Sequence, residues 1–391
     1  MQSEQRPVFH SCRLGETITM AKKISWTAPR WTEEEIRAVI KTAESGWLTQ
    51  GQKTLELEKA ISDYIGCKYC TVVNSGTSAL IVALMAIKHI LKKQEITITV
   101  PTYTFIASAN SARFVFAEPK SHLKLLDCNK DTFNVEPKEE DLKDCDVSMV
   151  VDVFGMPCDI DGWISKCRKL GIFLIEDAAE AFGAEYKGKK VGSFGHPTIF
   201  SFHIAKQFQT IEGGCICSND ELLDSLYKKI RNQGMTQTKE KGEYLHEVFG
   251  LNFRITDLQS AIGLVQLKYV ERFIEHRNKI AQLYKTNLAN LNLNFQKIPS
   301  YVTKHSYMIF QLICPTNTLR GRVQSSLSSQ NIEYRLCWKP VHLQPIYHEM
   351  FERFTNAEWL YEHSISLPIG NTLSINDAEF VARQVKKAVK S

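Results

Sequence analysis

An alternation restricts the fold of this chain more than any other feature. Short apolar runs at residues 69–73, 96–100, 148–153 and 172–175 are separated by segments with apolar residues at helical spacing, at 79–91 and 160–169. The runs are close to continuously apolar, so both faces of each strand must be covered. A sheet with one wet face would alternate polar and apolar residues instead. The pattern therefore predicts an α/β architecture, a mostly parallel sheet between helices.

At 391 residues the chain exceeds what one core usually holds, which predicts two domains. The alternation stops near residue 255. A long helical stretch at 257–290 follows, then a strand at 306–314 and helices at 320–330 and 377–389. This reads as a smaller α+β domain joined through the long helix. The expected division is a loose extension at 1–22, a large domain at 23–275 and a small C-terminal domain at 276–391. Within the first part, Thr32 and Glu35 form a capping box for a helix at 32–45. The loop Gly46-Trp47-Leu48-Thr49-Gln50-Gly51 leads to a helix at 54–65.

Hydrophobic residues make up 43% and charged residues 23%, which excludes a disordered or fibrous chain. The net charge of +5 is spread along the sequence, so neither a nucleic-acid nor a membrane surface is indicated. No apolar run approaches the roughly 20 residues of a membrane helix. Residues 1–20 lack the apolar core of a signal peptide and read as a loose extension, with Met20 a candidate alternative start. A cytoplasmic location is expected. The 11 cysteines are scattered and odd in number, and Cys67-Lys68-Tyr69-Cys70 is the only Cys-x-x-Cys. One such pair cannot complete a four-ligand zinc site alone. Buried free thiols in a reducing compartment are expected, and no metal.

Four local patterns carry chemistry. Ser75-Gly76-Thr77 follows a strand and opens a helix, where unpaired N–H groups and the helix dipole favour an anion. Asp177 ends the run Ile172-Phe173-Leu174-Ile175-Glu176, at the strand edge where open α/β sheets bind ligands. Lys206 lies between strands at 198–202 and 215–217, followed by Glu212-Gly213-Gly214. Pro101-Thr102-Tyr103-Thr104-Phe105 offers rings that can stack on a flat ligand. Each has an ordinary alternative: a capping serine, an aspartate capping a helix that continues through 178–181, a surface lysine, a core aromatic. Taken in chain order (cradle, aromatic, aspartate, Ser201 and lysine), they are the parts expected to hold pyridoxal phosphate. The lysine makes a Schiff base, the aspartate keeps the pyridine nitrogen protonated, and the helix start binds the phosphate.

From Trp47 to Val385 the sequence resembles the DegT/DnrJ/EryC1/StrS family of sugar-nucleotide aminotransferases. The matching blocks are Trp47-Leu48-Thr49-Gln50-Gly51, Asn74-Ser75-Gly76-Thr77-Ser78-Ala79-Leu80, Pro101 to Phe105, and Glu176-Asp177-Ala178-Ala179-Glu180-Ala181 with Gly192-Ser193-Phe194-Gly195. Ser201-Phe202-His203 with Lys206 and Glu212-Gly213-Gly214, and Gly250-Leu251-Asn252-Phe253-Arg254 with Asp257-Leu258-Gln259 and Gln266-Leu267, complete the set. The resemblance implies a fold-type I transferase. Lys206 and Asp177 would be catalytic. Ser75, Gly76, Thr77 and Ser201 would hold the phosphate, Phe105 would stack on the ring, and Glu180 would lie near the phenolic oxygen. Asn252 would reach the cofactor of the other subunit of a homodimer with shared active sites. Thr49, Gln50, Gly51, Arg254, Trp338 and His342 would meet the substrate. There are departures. Glu180 stands where many members have Gln or His, Ile211 replaces a usual glycine, and His196 takes a position often held by Asp.

Trp338-Lys339-Pro340-Val341-His342-Leu343-Gln344-Pro345 resembles the segment of enzymes that aminate C4 of a nucleotide-linked 4-keto-6-deoxy sugar. The implied reaction is a ping-pong transfer from L-glutamate to a UDP- or GDP-sugar, giving a 4-amino-4,6-dideoxy product. Amination at C3, and a non-catalytic regulator that binds pyridoxal phosphate, are the alternatives. A nicotinamide-binding protein is disfavoured, because no Gly-x-Gly-x-x-Gly follows an early strand.

Overall fold

The structure is a computed structural model that describes residues 23–27, 31–117, 122–236, 243–336, 338–347 and 352–390. The extension expected at 1–22, with Met20, lies outside the described residues.

Helices α1 (Glu33–Glu44) and α2 (Gln52–Ile65) lead into β1 (Tyr69–Val73), α3 (Gly76–Leu91), β2 (Thr97–Pro101), α4 (Ala107–Val115), β3 (His122–Leu126), α5 (Glu139–Leu142), β4 (Val147–Val151), α6 (Ile160–Leu170) and β5 (Phe173–Asp177). A hairpin, β6 (Glu185–Tyr186) and β7 (Lys189–Lys190), precedes β8 (Thr198–Ser201), β9 (Gly214–Ser218), α7 (Glu221–Arg231) and the long helix α8 (Asp257–Leu288).

Seven strands form one sheet in the order β1-β9-β8-β5-β4-β2-β3. Strands β8, β5, β4, β2 and β3 pair in parallel, and β9 runs against both of its neighbours. The mostly parallel sheet expected from the apolar runs is present. Every residue of β4 and β9 is buried, as strands covered on both faces require. One face packs Val73, Ile98, Met149, Ile175, Ile199 and Ile216 against α3, whose Leu80, Leu84 and Ile87 are fully covered. The other face packs Val72, Phe200, Cys215 and Cys217 against Leu57 and Ile61 of α2 and Val270 and Ile274 of α8. Each such aliphatic side chain contributes about 1.5–3 kcal/mol on burial.

The C-terminal part holds a four-stranded antiparallel sheet in the order Asn294–Phe295, Phe310–Ile313, Ser364–Leu367, Arg335–Leu336. Helices α9 (Asn317–Ser329) and α11 (Ile375–Lys390) cover it, together with Ile280, Tyr284 and Leu288 of α8. Between them lies α10 (Thr355–His363). Thus α8, 32 residues and about 48 Å long, enters one core with its first half and the other with its second. Ile24 belongs to the C-terminal core and bridges Ile332.

Two expectations need correction. No helix continues through 178–181. The chain makes successive turns, Ala181 N–H to Ala178 O at 2.8 Å and Ala184 N–H to Ala181 O at 2.9 Å, and Gly183 takes φ +77°. The strand expected at 306–314 spans only Phe310–Ile313. The amides of Ser306 and Met308 instead bond the carbonyls of Gly155 and Phe154, both at 3.0 Å, so this segment joins the turn after β4 rather than the small sheet.

Candidate active site

The carboxyl ends of the parallel strands open into a cavity of about 320 Å³. Where β1 meets α3, Ser75 is extended and its Oγ accepts the Ser78 N–H at 3.0 Å. The N–H groups of Gly76 and Thr77 precede the first helical acceptors and have no intrahelical partner, and both residues line the cavity. A Cβ on Gly76 would fall 2.7 Å from Cβ of Ser201, and one on Gly214 would fall 2.7 Å from the Gly76 nitrogen. Only glycines let the helix start, β8 and β9 meet this closely. The result is a small anion cradle at a helix N-terminus.

Asp177 closes β5 and is 5% exposed. Its Oδ2 accepts from Ser108 Oγ at 2.6 Å and its Oδ1 from the Ala179 N–H at 3.2 Å. Burial pushes its carboxyl above the usual range, against Ser108, Ala179 and the charge of Lys206. A cation at this carboxylate would hold it ionised.

Glu180 stands beside it. Its Oε2 accepts from the Phe154 N–H at 2.8 Å, whereas Oε1 is buried, makes no hydrogen bond among the described residues and pairs with Lys206 Nζ at 3.7 Å. Burial raises this carboxyl too, opposed mainly by Lys206.

Lys206 sits in the loop between β8 and β9. Backbone bonds close that loop: Phe202 N–H to Gly213 O at 2.8 Å, Thr210 N–H to Phe202 O at 2.9 Å and Ile204 N–H to Ile211 O at 2.8 Å. Gln207 pins it from behind, donating through Nε2 to Glu180 O at 2.6 Å and to Ser306 Oγ at 2.7 Å. Phe105 and Trp338 form the apolar wall, their rings edge to face with centroids 5.2 Å apart.

The residues present therefore fit pyridoxal phosphate. The cradle suits a phosphate, buried Asp177 suits a protonated ring nitrogen, Glu180 lines the cavity with an oxygen that makes no hydrogen bond among the described residues and can accept one from a polar group of the ligand, and Lys206 supplies the amine.

The sequence model of the DegT/DnrJ/EryC1/StrS aminotransferase family matches residues 29–386. The chain belongs to that family. It is a pyridoxal phosphate-dependent sugar-nucleotide aminotransferase. It is 31% identical to the GDP-perosamine synthase of Escherichia coli O157:H7, over 92% of this chain and 96% of the relative. It is 32% identical to the UDP-4-amino-4,6-dideoxy-N-acetyl-beta-L-altrosamine transaminase of Campylobacter jejuni, over 92% and 95%. Helicobacter pylori PseC, an aminotransferase involved in the biosynthesis of pseudoaminic acid, superposes with a TM-score of 0.86 at 27% identity, covering 94% of this chain and all of that one.

Among the family positions expected in the site, Ser75, Gly76, Thr77, Phe105, Asp177, Glu180, Ser201, Lys206 and Trp338 line this one cavity. Others do not. His342, expected at the substrate, is 3% exposed; its Nδ1 pairs with Thr102 Oγ1 at 2.7 Å and its Nε2 with Glu358 Oε1 at 3.3 Å. It fastens the Trp338 segment to the loop after β2. Thr49, Gln50 and Gly51 sit at the start of α2, outside the cavity, where Asp257 holds the Gly51 N–H at 2.8 Å. Asn252 and Arg254 also lie outside it; Arg254 Nη1 donates to Asn232 Oδ1 at 2.5 Å.

The sequence reading missed Ser108, Gln207, Trp26 and Met308. Ser108 had a usable signal, since it stands three residues after Phe105 at the start of a helix. Trp26 and Met308 come from distant segments, and no local pattern marks them.

Proposed function

We propose that this aminotransferase carries the amino group of L-glutamate to C4 of a nucleotide-linked 4-keto-6-deoxyhexose, a UDP- or GDP-sugar, and yields the 4-amino-4,6-dideoxy sugar nucleotide. The observation that carries the reading is the convergence of Lys206, Asp177 and the α3 cradle on one cavity. Regiochemistry rests on the relatives. One is named for a 4-amino-4,6-dideoxy sugar and another for GDP-perosamine.

Bound here, the cofactor supplies a carbonyl that accepts the amino group and a ring that absorbs electrons. The chain's residues do the rest. The N–H groups of Gly76 and Thr77 and the hydroxyl of Ser201 bind the phosphate. Asp177 holds a proton on the ring nitrogen through a charge-assisted bond. Lys206 Nζ takes the proton from the α-carbon of the donor and returns it to the product side. Phe105 and Trp338 keep water from the reacting face.

The protein works as a homodimer in this reading. Trp47, Leu48, Phe249 and Leu251 are exposed large apolar residues close in sequence to Thr49–Gly51 and Asn252–Arg254, which suits a face covered by a second copy that receives those residues. The division into a domain at 23–275 and one at 276–391 is part of the same proposal, with α8 spanning it.

The test is a visible absorption spectrum of the reconstituted enzyme before and after L-glutamate, followed by NMR of the product from a UDP- or GDP-4-keto sugar. The expected results are bleaching of the visible band by glutamate and an amine at C4, with neither in Lys206→Ala. An amine at C3 would replace the C4 assignment. A band indifferent to glutamate would favour another donor or a non-catalytic role.

A further inference from the structure

Strands β1 and β9 lie side by side, from Tyr69 opposite Ser218 to Val73 opposite Gly214. Side chains alternate along each strand, so Val73 and Ile216 enter the core under α3 while Cys70, Val72, Cys215 and Cys217 enter the core under α2. Three thiols thus meet on one face. All are buried, and the sulfurs of Cys70, Cys215 and Cys217 lie within 4.8 Å of one another. Cys215 and Cys217 stand 3.9 Å apart. Four sulfurs about 2.3 Å from a tetrahedral zinc ion are separated by about 3.8 Å. Cys67 is the fourth candidate. It follows the Gly66 cap of α2, is partly buried against the same core, and donates its thiol to the Tyr69 carbonyl at 3.3 Å.

The surroundings suit a closed structural site. The nearby carboxylates already have cations. Glu58 pairs with Arg231, and Asp224 pairs with Lys228 at 2.6 Å. Neither is free to ligate, and neither leaves an uncompensated charge against the cluster. The Cys-x-x-Cys that could not complete a site alone meets a Cys-x-Cys from 145 residues further along, counted from Cys70 to Cys215.

We propose that Cys67, Cys70, Cys215 and Cys217 bind one zinc ion as four thiolates. Each S–H proton passes to solvent as its sulfur–zinc bond forms, and nothing is oxidised. The ion clamps β1 to β9. Beyond the clamp, β1 runs into Ser75-Gly76, and β9 begins at Gly214, which abuts Gly76. Zinc therefore steadies the two strands that frame the phosphate cradle without entering the chemistry.

The experiment uses the full-length enzyme, loaded with zinc chloride in reductant and dialysed against metal-free buffer. Zinc per chain is measured by mass spectrometry and its neighbours by X-ray absorption. Variants are Cys67→Ser, Cys70→Ser, Cys217→Ser and, as a control away from the cluster, Cys314→Ser. Expected are one zinc per chain and a sulfur-only shell at about 2.3 Å in wild type and Cys314→Ser. Zinc is lost from Cys70→Ser and Cys217→Ser, and Cys67→Ser loses it or gains a non-sulfur neighbour. Chelation lowers Tm while the glutamate-bleachable band persists. A dialysed wild type without zinc, a nitrogen- or oxygen-containing shell, or undiminished zinc in the cluster variants would overturn the site. Should the buried variants not fold, the wild-type shell and the half-exposed Cys67→Ser decide it.

Discussion

Ile211 holds a left-handed backbone, φ +72°, in the loop that carries Lys206. A β-branched residue there costs on the order of 1–2 kcal/mol. Ile211→Gly should therefore stabilise the enzyme by about 1 kcal/mol after the entropy gained by the unfolded chain is deducted. A rise in Tm by calorimetry checks this, and an unchanged or lower Tm would refute the strain. Glu180 makes the second prediction. Burial raises its carboxyl above the 4.5 of an unfolded chain. Its contribution to folding is complete below that value and is lost as pH rises through the raised one, because a buried carboxylate must then be carried. In the cofactor-free protein, Glu180→Gln removes this dependence. Its Tm advantage over wild type should grow as pH rises above the ordinary carboxylate range, and a difference that stays constant with pH would refute the raised carboxyl.

At the level of elements, Asp257 joins two helices. It occupies the first turn of α8, yet its carboxylate receives the N–H groups of Gly51, Lys53 and Thr54 and the Thr54 hydroxyl, at 2.8, 3.0, 3.0 and 2.7 Å. It supplies from a distance the cap that Gly51 cannot give α2. Asp257→Ala leaves these donors without their acceptor in a buried place and should cost about 2–3 kcal/mol, read as a lower denaturant midpoint at unchanged slope. Element types were legible wherever the local pattern agreed with its setting. The capping box of α1, the buried strands β1, β2, β4 and β5, and the length of α8 all followed from spacing. The segment 306–309 misled, because its apolar residues serve the turn at Phe154-Gly155 and the cavity wall instead of a strand.

At the scale of the molecule, the proposed homodimer with shared sites leads to a complementation test. If Asn252 serves the partner's cofactor, Lys206→Ala and Asn252→Ala chains, each inactive alone, should regain part of the activity when mixed and re-equilibrated, since one of the two sites in a mixed dimer is then intact. No recovery, with mixed dimers confirmed by native mass spectrometry, would place Asn252 in its own chain's site. The sheet class, the cradle at Ser75-Gly76-Thr77, Asp177 at a strand end and Lys206 in its loop were all readable from the residues, because each depends on a few consecutive positions and one local backbone shape. Long-range packing is what seals His342 between Thr102 and Glu358, lets Gln207 and Ser108 brace the site, brings Met308 and Trp26 to its wall, and puts cysteines from β1 and β9 on one face. Those facts depend on strand order and on packing between segments far apart in the chain, for which consecutive residues carry no signal.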